Sequence, residues 1–350
     1  MDYGPEISAY KDKTIGLYGG KFFPPHQGHV NMALEAAHHV DVLFVVVQWD
    51  TEYERQLIRD TGFDYIEPGL RERWLTQVFK DYQNIRVLSD YEKRTDDHLT
   101  NPELVEQYKK LQQRIGTVNK VFSGEPKYTA YFENVLPHAE HVVLSLNPKV
   151  PISATMIREN VYQHWKYLPK PVQHHYAQRI VFCGVESSGK TFMSSTIAEE
   201  NGYTWLPEYG RQYYDELGGY SNLEVFHDYT NIVAGHLQAL HYSEPTPLVL
   251  LDTDAIYTQF FFQEIHGTKH PVVDTVITEN AENIDTYILL EPFDFDDDGT
   301  RKRIDDNERW NTFDRLKSLY ESYGKEVIVV HGDGQERFEQ VREILERHVP

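Results

Sequence analysis

Residues 19–29, GGKFFPPHQGH, crowd glycines, prolines and two histidines into one short stretch. Gly19 and Gly20 let a backbone approach a ligand closely, and Pro24 and Pro25 stiffen the turn. If a helix starts here, His26 and His29, three positions apart, fall on one side of it. Gly28 then sits in its first turn, where a larger residue would crowd a ligand. Two imidazoles over the orphan N–H groups of a helix start make a site for a triphosphate. A metal site is the rival reading, but it wants a third ligand of suitable spacing and none is visible. Two unrelated surface histidines are the other rival, and His38–His39 and His174–His175 are read that way.

GVESSGKT, residues 184–191, fits the phosphate-binding loop pattern G-x-x-x-x-G-K-[ST] between an apolar run and a helical one. Gly184 and Gly189 allow N–H groups along Glu186, Ser187 and Ser188 to turn onto phosphate oxygens. Lys190 reaches the outer phosphates, and the Thr191 hydroxyl can ligate Mg²⁺. LLDTD, residues 250–254, ends an apolar run in two acids, and Asp252 is placed to share the Mg²⁺ with Thr191. Glu208 and Asp254 are candidates to accept the proton of an attacking hydroxyl, with helix capping or solvation as the alternative. Arg301 and Arg303, in the acidic run 294–306, are candidate lid arginines that would close over a transferring phosphate. A solvated charge run is the alternative for them.

The patterns around these stretches say what must hold them. TIGLYGG, DVLFVVVQW, IRVLSDY, KVFSGE and HVVLSL read as strands, interleaved with helical patterns at HVNMALEAAHHV, GLRERWLTQVF and PELVEQYKKLQQRI. ISATMIRENVYQHWKYL, residues 152–168, reads as a closing helix. Residues 169–178, PKPVQHHYAQ, read as a linker, after which the alternation restarts at RIVFCGV. The expectation is an α/β chain with two doubly wound parallel-sheet domains, at 1–168 and 179–350, around that linker. The second has the size of a small-molecule kinase domain. A GTPase should carry N-K-x-D or T-K-x-D, and neither occurs.

Bulk composition narrows the class. A chain of 350 residues favours two domains, and no apolar run is long enough for a membrane span. The N-terminus has neither the basic start nor the apolar core of a signal peptide. The single cysteine, Cys183, excludes an internal disulfide framework and fits a cytoplasmic setting. A formal net charge of −21 argues against nucleic acid as a partner but leaves nucleotides open.

The motifs together resemble a known family. GGKFFPPHQGH fits the G-x-F-x-P-x-H-x-G-H signature of nucleotidyltransferases, and ISATMIR, residues 152–158, fits their second signature, I-S-x-T-x-x-R. With GVESSGKT, PEYGRQY, LLDTD and DDGTR following in order, the chain resembles the NadR-type bifunctional family from about Thr14 onward. That family joins a nicotinamide-nucleotide adenylyltransferase to a ribosylnicotinamide kinase. FSGEP departs from the more usual F-S-S-E-P. The first strand begins near Thr14, leaving no room ahead of it for the helix-turn-helix of some members, so DNA binding is not expected.

The resemblance implies a Rossmann-like nucleotidyltransferase domain followed by a P-loop kinase domain. Gly20, Lys21, Phe22, His26, His29, Ser153, Thr155 and Arg158 would hold ATP in the first. Trp49 or Trp74 would stack on nicotinamide, although a tryptophan in a helix or strand is more often core. The implied ligands are ATP with Mg²⁺, nicotinamide riboside, nicotinamide mononucleotide (NMN) and NAD, and a homo-oligomer is compatible with the sequence. Rival readings are another phospho-acceptor for the transferase and an NAD- or ATP-sensing regulator with inactive sites. A class I aminoacyl-tRNA synthetase would need K-M-S-K-S, which is absent.

Overall fold

A computed structural model of the chain describes residues 10, 12–93, 102–145, 150–219, 226–293 and 306–349. It divides into two compact units, residues 1–175 and 176–350.

The first unit runs β1 (Ile15–Gly20), α1 (Gln27–Ala37), β2 (Val42–Trp49), α2 (Thr51–Ile58), α3 (Pro68–Val78), β3 (Ile85–Tyr91), α4 (Pro102–Ile115), β4 (Lys120–Ser123), α5 (Thr129–Val135), β5 (Glu140–Val143), α6 (Ala154–Glu159) and α7 (Lys170–Tyr176). Its sheet is ordered β3-β2-β1-β4-β5, with every pairing parallel. The apolar run of β2 is split by strand alternation. Val42, Phe44 and Val46 join Leu104, Tyr108 and Leu111 of α4 on one face. Leu43, Val45 and Val47 join Ala33 of α1 and Leu75 of α3 on the other. Burial on both faces is why the run is apolar throughout.

The second unit runs β6 (Gln178–Gly184), α8 (Lys190–Asn201), β7 (Thr204–Leu206), α9 (Tyr209–Glu216), α10 (His227–Tyr242), β8 (Leu248–Asp252), α11 (Ala255–His266), α12 (Pro271–Thr278), β9 (Thr286–Leu290), α13 (Asp306–Ser322), β10 (Val327–Val330) and α14 (Gly334–Glu346). The sheet is ordered β10-β9-β6-β8-β7, again with all pairings parallel. Ile180, Phe182, Leu248, Leu250 and Ile288 pack against Met193 and Ile197 of α8 and Val341 and Ile344 of α14.

In each sheet the strand that carries a glycine-bearing motif, β1 or β6, lies where the order of the strands reverses. A crevice opens there at the carboxyl ends of parallel strands.

Two sequence expectations change in detail. Residues 170–176 form a helix whose Val172 is fully buried, so the predicted linker is part of the folded chain. The predicted helix over 152–168 is only six residues long, α6. Asn160 ends it in an extended conformation, and its side chain accepts the Gln163 N–H at 2.9 Å. That is the local competition by which asparagine breaks helices.

Candidate active sites

In the first unit, β1 ends at Gly20 and the chain turns through Phe22 and Phe23 into α1. Phe22 holds φ at 48°, a strained value for a residue with a side chain. It is kept there by burial, with its ring edge-on to those of His29 and Tyr18. His26 is the N-cap of α1, and its Nδ1 accepts the Gly28 N–H at 3.1 Å. His29 Nδ1 in turn accepts the His26 backbone N–H at 3.3 Å. The two rings stack with centroids 3.7 Å apart and planes 23° apart. A Cβ on Gly28 would come within 3.0 Å of the His26 ring, so a larger residue there would press on the imidazole.

These bonds fix the tautomers. A nitrogen that accepts an N–H carries no hydrogen, so both rings hold theirs on Nε2. Burial pushes the His26 pKa down to about 4. Burial, and then the neighbouring His26, push His29 well below its ordinary value. The pair therefore presents two neutral N–H donors rather than two cations.

The second nucleotidyltransferase signature folds onto the first. Ser153 caps α6 by accepting the Met156 N–H at 3.3 Å. Arg158 Nη1 donates to Phe23 O at 2.6 Å and Nη2 to Thr155 Oγ1 at 3.0 Å. Lys21 Nζ lies over the Tyr53 ring at 4.8 Å.

One buried pair beneath this turn escaped sequence reasoning. Arg71 of α3 and Glu54 of α2 are fully buried and form a two-pronged ion pair at 2.7 and 2.8 Å. Arg71 Nη1 also donates to Lys21 O at 2.7 Å. The Phe23 ring has the Arg71 guanidinium 5.2 Å away and that of Arg158 5.7 Å away. In sequence both partners sit in ordinary charged helical stretches, and nothing local marks them as buried.

Trp74 is 3% exposed, with its ring 5.0 Å from that of His175. It is a core residue here, as its place on the inner face of α3 requires. Trp49 is half-buried at the end of β2, with its ring against Tyr91.

In the second unit, residues 184–191 form the loop between β6 and α8. Gly184 has φ 152°, and a Cβ there would meet Leu290 O and Ser188 Oγ at 2.7 Å. Gly189, at φ 90°, opens α8. Lys190 is buried; its Nζ donates to Gly184 O at 3.0 Å and Val185 O at 3.1 Å. Burial lowers its pKa, opposed chiefly by Asp252. Thr191 Oγ1 donates to Asp252 Oδ2 at 2.6 Å. Asp252 is 1% exposed, and its Oδ1 is buried without a hydrogen-bond partner. A hydroxyl beside a carboxylate with an unsatisfied oxygen is a hard-oxygen donor set of the kind Mg²⁺ takes. Among the described residues there is no cluster of three or more metal-ligating side chains. A metal here would therefore depend on oxygens from the nucleotide, as Mg²⁺–ATP supplies.

Glu208 is half-buried in a cleft it shares with Tyr209, Thr253 and Tyr257. Burial raises its pKa, against the pull of Lys190. Asp254 has a different setting. Its Oδ1 accepts the Tyr257 N–H at 2.9 Å, capping α11, and the Tyr320 hydroxyl at 2.6 Å. It is the buried capping residue that the alternative sequence reading described. Arg301 and Arg303 lie outside the described residues. Arg337 of α14, not singled out in the sequence, reaches the loop by donating to Ser188 O at 3.2 Å and to Gly332 O at 2.8 Å.

Comparison with known proteins places a family match on each unit. Residues 17–160 match the cytidylyltransferase-like family and residues 179–337 an AAA domain. The trifunctional NAD biosynthesis/regulator protein NadR of Escherichia coli (strain K12) is 31% identical over 296 residues. The match covers 80% of this chain and 69% of that protein. Two crystal structures of a NadR protein, one with NAD and AMP-PNP and one with NR, match at 22% identity with TM-scores of 0.69 and 0.71. Each match covers 96% of both chains. At that identity they show the fold.

Proposed function

The chain belongs to the family of the trifunctional NAD biosynthesis/regulator protein NadR, and from that premise we propose how its two sites divide the work. The protein is a bifunctional NAD salvage enzyme, a nicotinamide-nucleotide adenylyltransferase and a ribosylnicotinamide kinase. We place the transferase domain at 1–168 and the kinase domain at 179–350, on either side of 169–178. A cytoplasmic setting is proposed from the single, buried cysteine.

At the first site the 5′-phosphate of NMN attacks the α-phosphorus of ATP, giving NAD and pyrophosphate. No enzyme nucleophile is needed; position and charge stabilisation supply the catalysis. The Nε2–H groups of His26 and His29 donate to phosphate oxygens as charge builds on them. Gly20, Lys21 and Phe22 shape the turn around the nucleotide. Ser153, Thr155 and Arg158 hold the departing pyrophosphate, with Arg158 also tying its helix to the Phe23 carbonyl. Stacking on nicotinamide is assigned to Trp49, since Trp74 is buried.

At the second site the 5′-hydroxyl of nicotinamide riboside attacks the γ-phosphorus of ATP, giving NMN and ADP. The N–H groups of residues 184–189 cradle the phosphates, and Lys190 swings from the loop carbonyls onto the outer ones. Glu208 accepts the hydroxyl proton; its place in the cleft favours it over Asp254, whose Oδ1 is engaged by Tyr257 N and the Tyr320 hydroxyl. Thr191 and Asp252 would hold Mg²⁺, which neutralises phosphate charge when bound.

The observation that carries this reading is the presence, in one chain, of two phosphate-binding turns of different chemistry, each at the reversal point of its own sheet. Incubation with ATP, Mg²⁺ and nicotinamide riboside should yield NMN and then NAD by chromatography. Absence of both products would refute it.

A further inference from the structure

His236, on α10, has no part in either reaction as described. It is 4% exposed. Its Nδ1 lies 3.2 Å from Glu282 Oε1. The other oxygen of Glu282, Oε2, accepts the Ala255 N–H at 3.1 Å, at the start of α11. The ring is thus tied by one edge to a carboxyl that is itself tied to backbone. Nε2, on the opposite edge, is buried and has no hydrogen-bond partner. His236 lines the kinase cleft together with Glu208, Thr253 and Tyr257. Thr253, between the two acids of LLDTD, holds φ at 75°, a strained conformation of the sort kept at ligand sites.

A buried polar atom without a partner is costly, and natural proteins keep few of them. His236 lines the cleft beside Glu208, where the acceptor of the kinase must bring its hydroxyl toward the phosphate loop, and Nε2 is the ring nitrogen that Glu282 leaves unengaged. A hydroxyl is a partner that satisfies the nitrogen in either polarity, because it both donates and accepts. We propose that His236 Nε2 hydrogen-bonds a ribose hydroxyl of the acceptor nucleoside, and that Glu282 holds the ring in the orientation that allows it. This makes His236 a binding residue that selects ribosides over deoxyribosides. The proposal rests on the kinase reading above.

The test uses the full chain. His236→Asn keeps a nitrogen facing Glu282 and removes Nε2. Its KM for nicotinamide riboside should rise by about ten- to a hundredfold, the usual effect of leaving a substrate hydroxyl unpaired. The KM for ATP should stay unchanged. On the wild-type protein, the 2′-deoxy or the 3′-deoxy riboside should suffer a similar rise, and His236→Asn should no longer tell that analogue from the natural substrate. An unchanged KM in the folded variant overturns the inference and leaves the kinase reading intact. So does a wild-type protein that takes both deoxy analogues as well as the riboside, a result that decides the matter even if the variant does not fold. A penalty confined to nicotinic acid riboside, whose carboxylate replaces the amide, also overturns it. A wild-type protein that phosphorylates no riboside overturns the inference together with the kinase reading.

Discussion

The imidazoles of His26 and His29 stack at 3.7 Å, and each turns its Nδ1 to a backbone N–H of the same helix start. Two charged rings at that distance would repel, and burial already disfavours charge on either. The arrangement is stable because both rings are neutral. It also leaves two Nε2–H groups on one side of the stack, set in place before any phosphate arrives. The site stabilises developing charge through preorganised donors.

The histidine tautomers can be observed directly. Nitrogen-15 NMR of the free protein should show the His26 ring as the Nε2–H tautomer, unchanged from pH 8 down to about 5, because its pKa is near 4. Titration of this ring near 6.5, the ordinary histidine value, would refute the donor model.

The two sites should fail independently. His29→Ala removes one phosphate donor and should lower NMN adenylylation by about 10²–10³-fold, with phosphorylation of nicotinamide riboside unchanged. Lys190→Ala should do the reverse, by at least about 10²-fold. Assays of each variant with both substrates check this. Loss of both activities in either folded variant would mean that the sites are not separate.

Much of this was legible in the sequence because it depends on local pattern. Strand alternation in β2, the glycines of 184–191 and the pairing of ISATMIR with GGKFFPPHQGH carry their meaning in adjacent residues. Other features depend on contacts between distant segments. Glu54 and Arg71 look like surface charges until α2 and α3 are folded together. Arg337 is one arginine in a charged helix until it reaches Ser188 O. Asp254 could be read from sequence either as a catalytic acid or as a helix cap, and its second partner, the Tyr320 hydroxyl 66 positions away, is visible only in the fold. The short α6 was missed for a simpler reason: the cap at Asn160 outweighs helical periodicity.

The Glu54–Arg71 pair separates stability from activity. Arg71→Met leaves a buried carboxylate without its counter-charge, held by the Tyr65 hydroxyl at 3.2 Å, and should destabilise the protein by about 3–5 kcal/mol in denaturant unfolding. Glu54→Gln with Arg71→Met removes both charges and should recover most of that loss. NMN adenylylation should nevertheless stay depressed in the double variant, because Lys21 O has lost its donor. Full recovery of activity along with stability would mean that the pair does not position the 21–23 turn.

The buried acids of the second unit should set an unusual pH dependence. Burial, and then Glu282, push Asp254 up to about 7, and burial raises Glu282 to about 7. In the unfolded chain these groups lose their protons near their ordinary values, about 4. Between about pH 4 and 7 the native state therefore holds protons that the unfolded state has released. Stability must fall as pH rises through that window and level off above it. Asp252, Glu208 and Asp285 are shifted in the same direction, chiefly by burial. His236 opposes them, since burial lowers it and favours folding as pH rises. His26 likewise favours the first unit as pH rises from about 4 to 6.5, and His29, lowered by burial and then by His26, acts in the same direction. Urea unfolding of the full chain, with reporters in each unit, should show the transition of residues 176–350 moving to lower urea between pH 5 and 7.5. Asp254→Asn keeps an oxygen for Tyr257 N and Tyr320 but cannot ionise, so it should flatten that slope. A slope as steep in this variant as in the parent would remove Asp254 as a source of the effect.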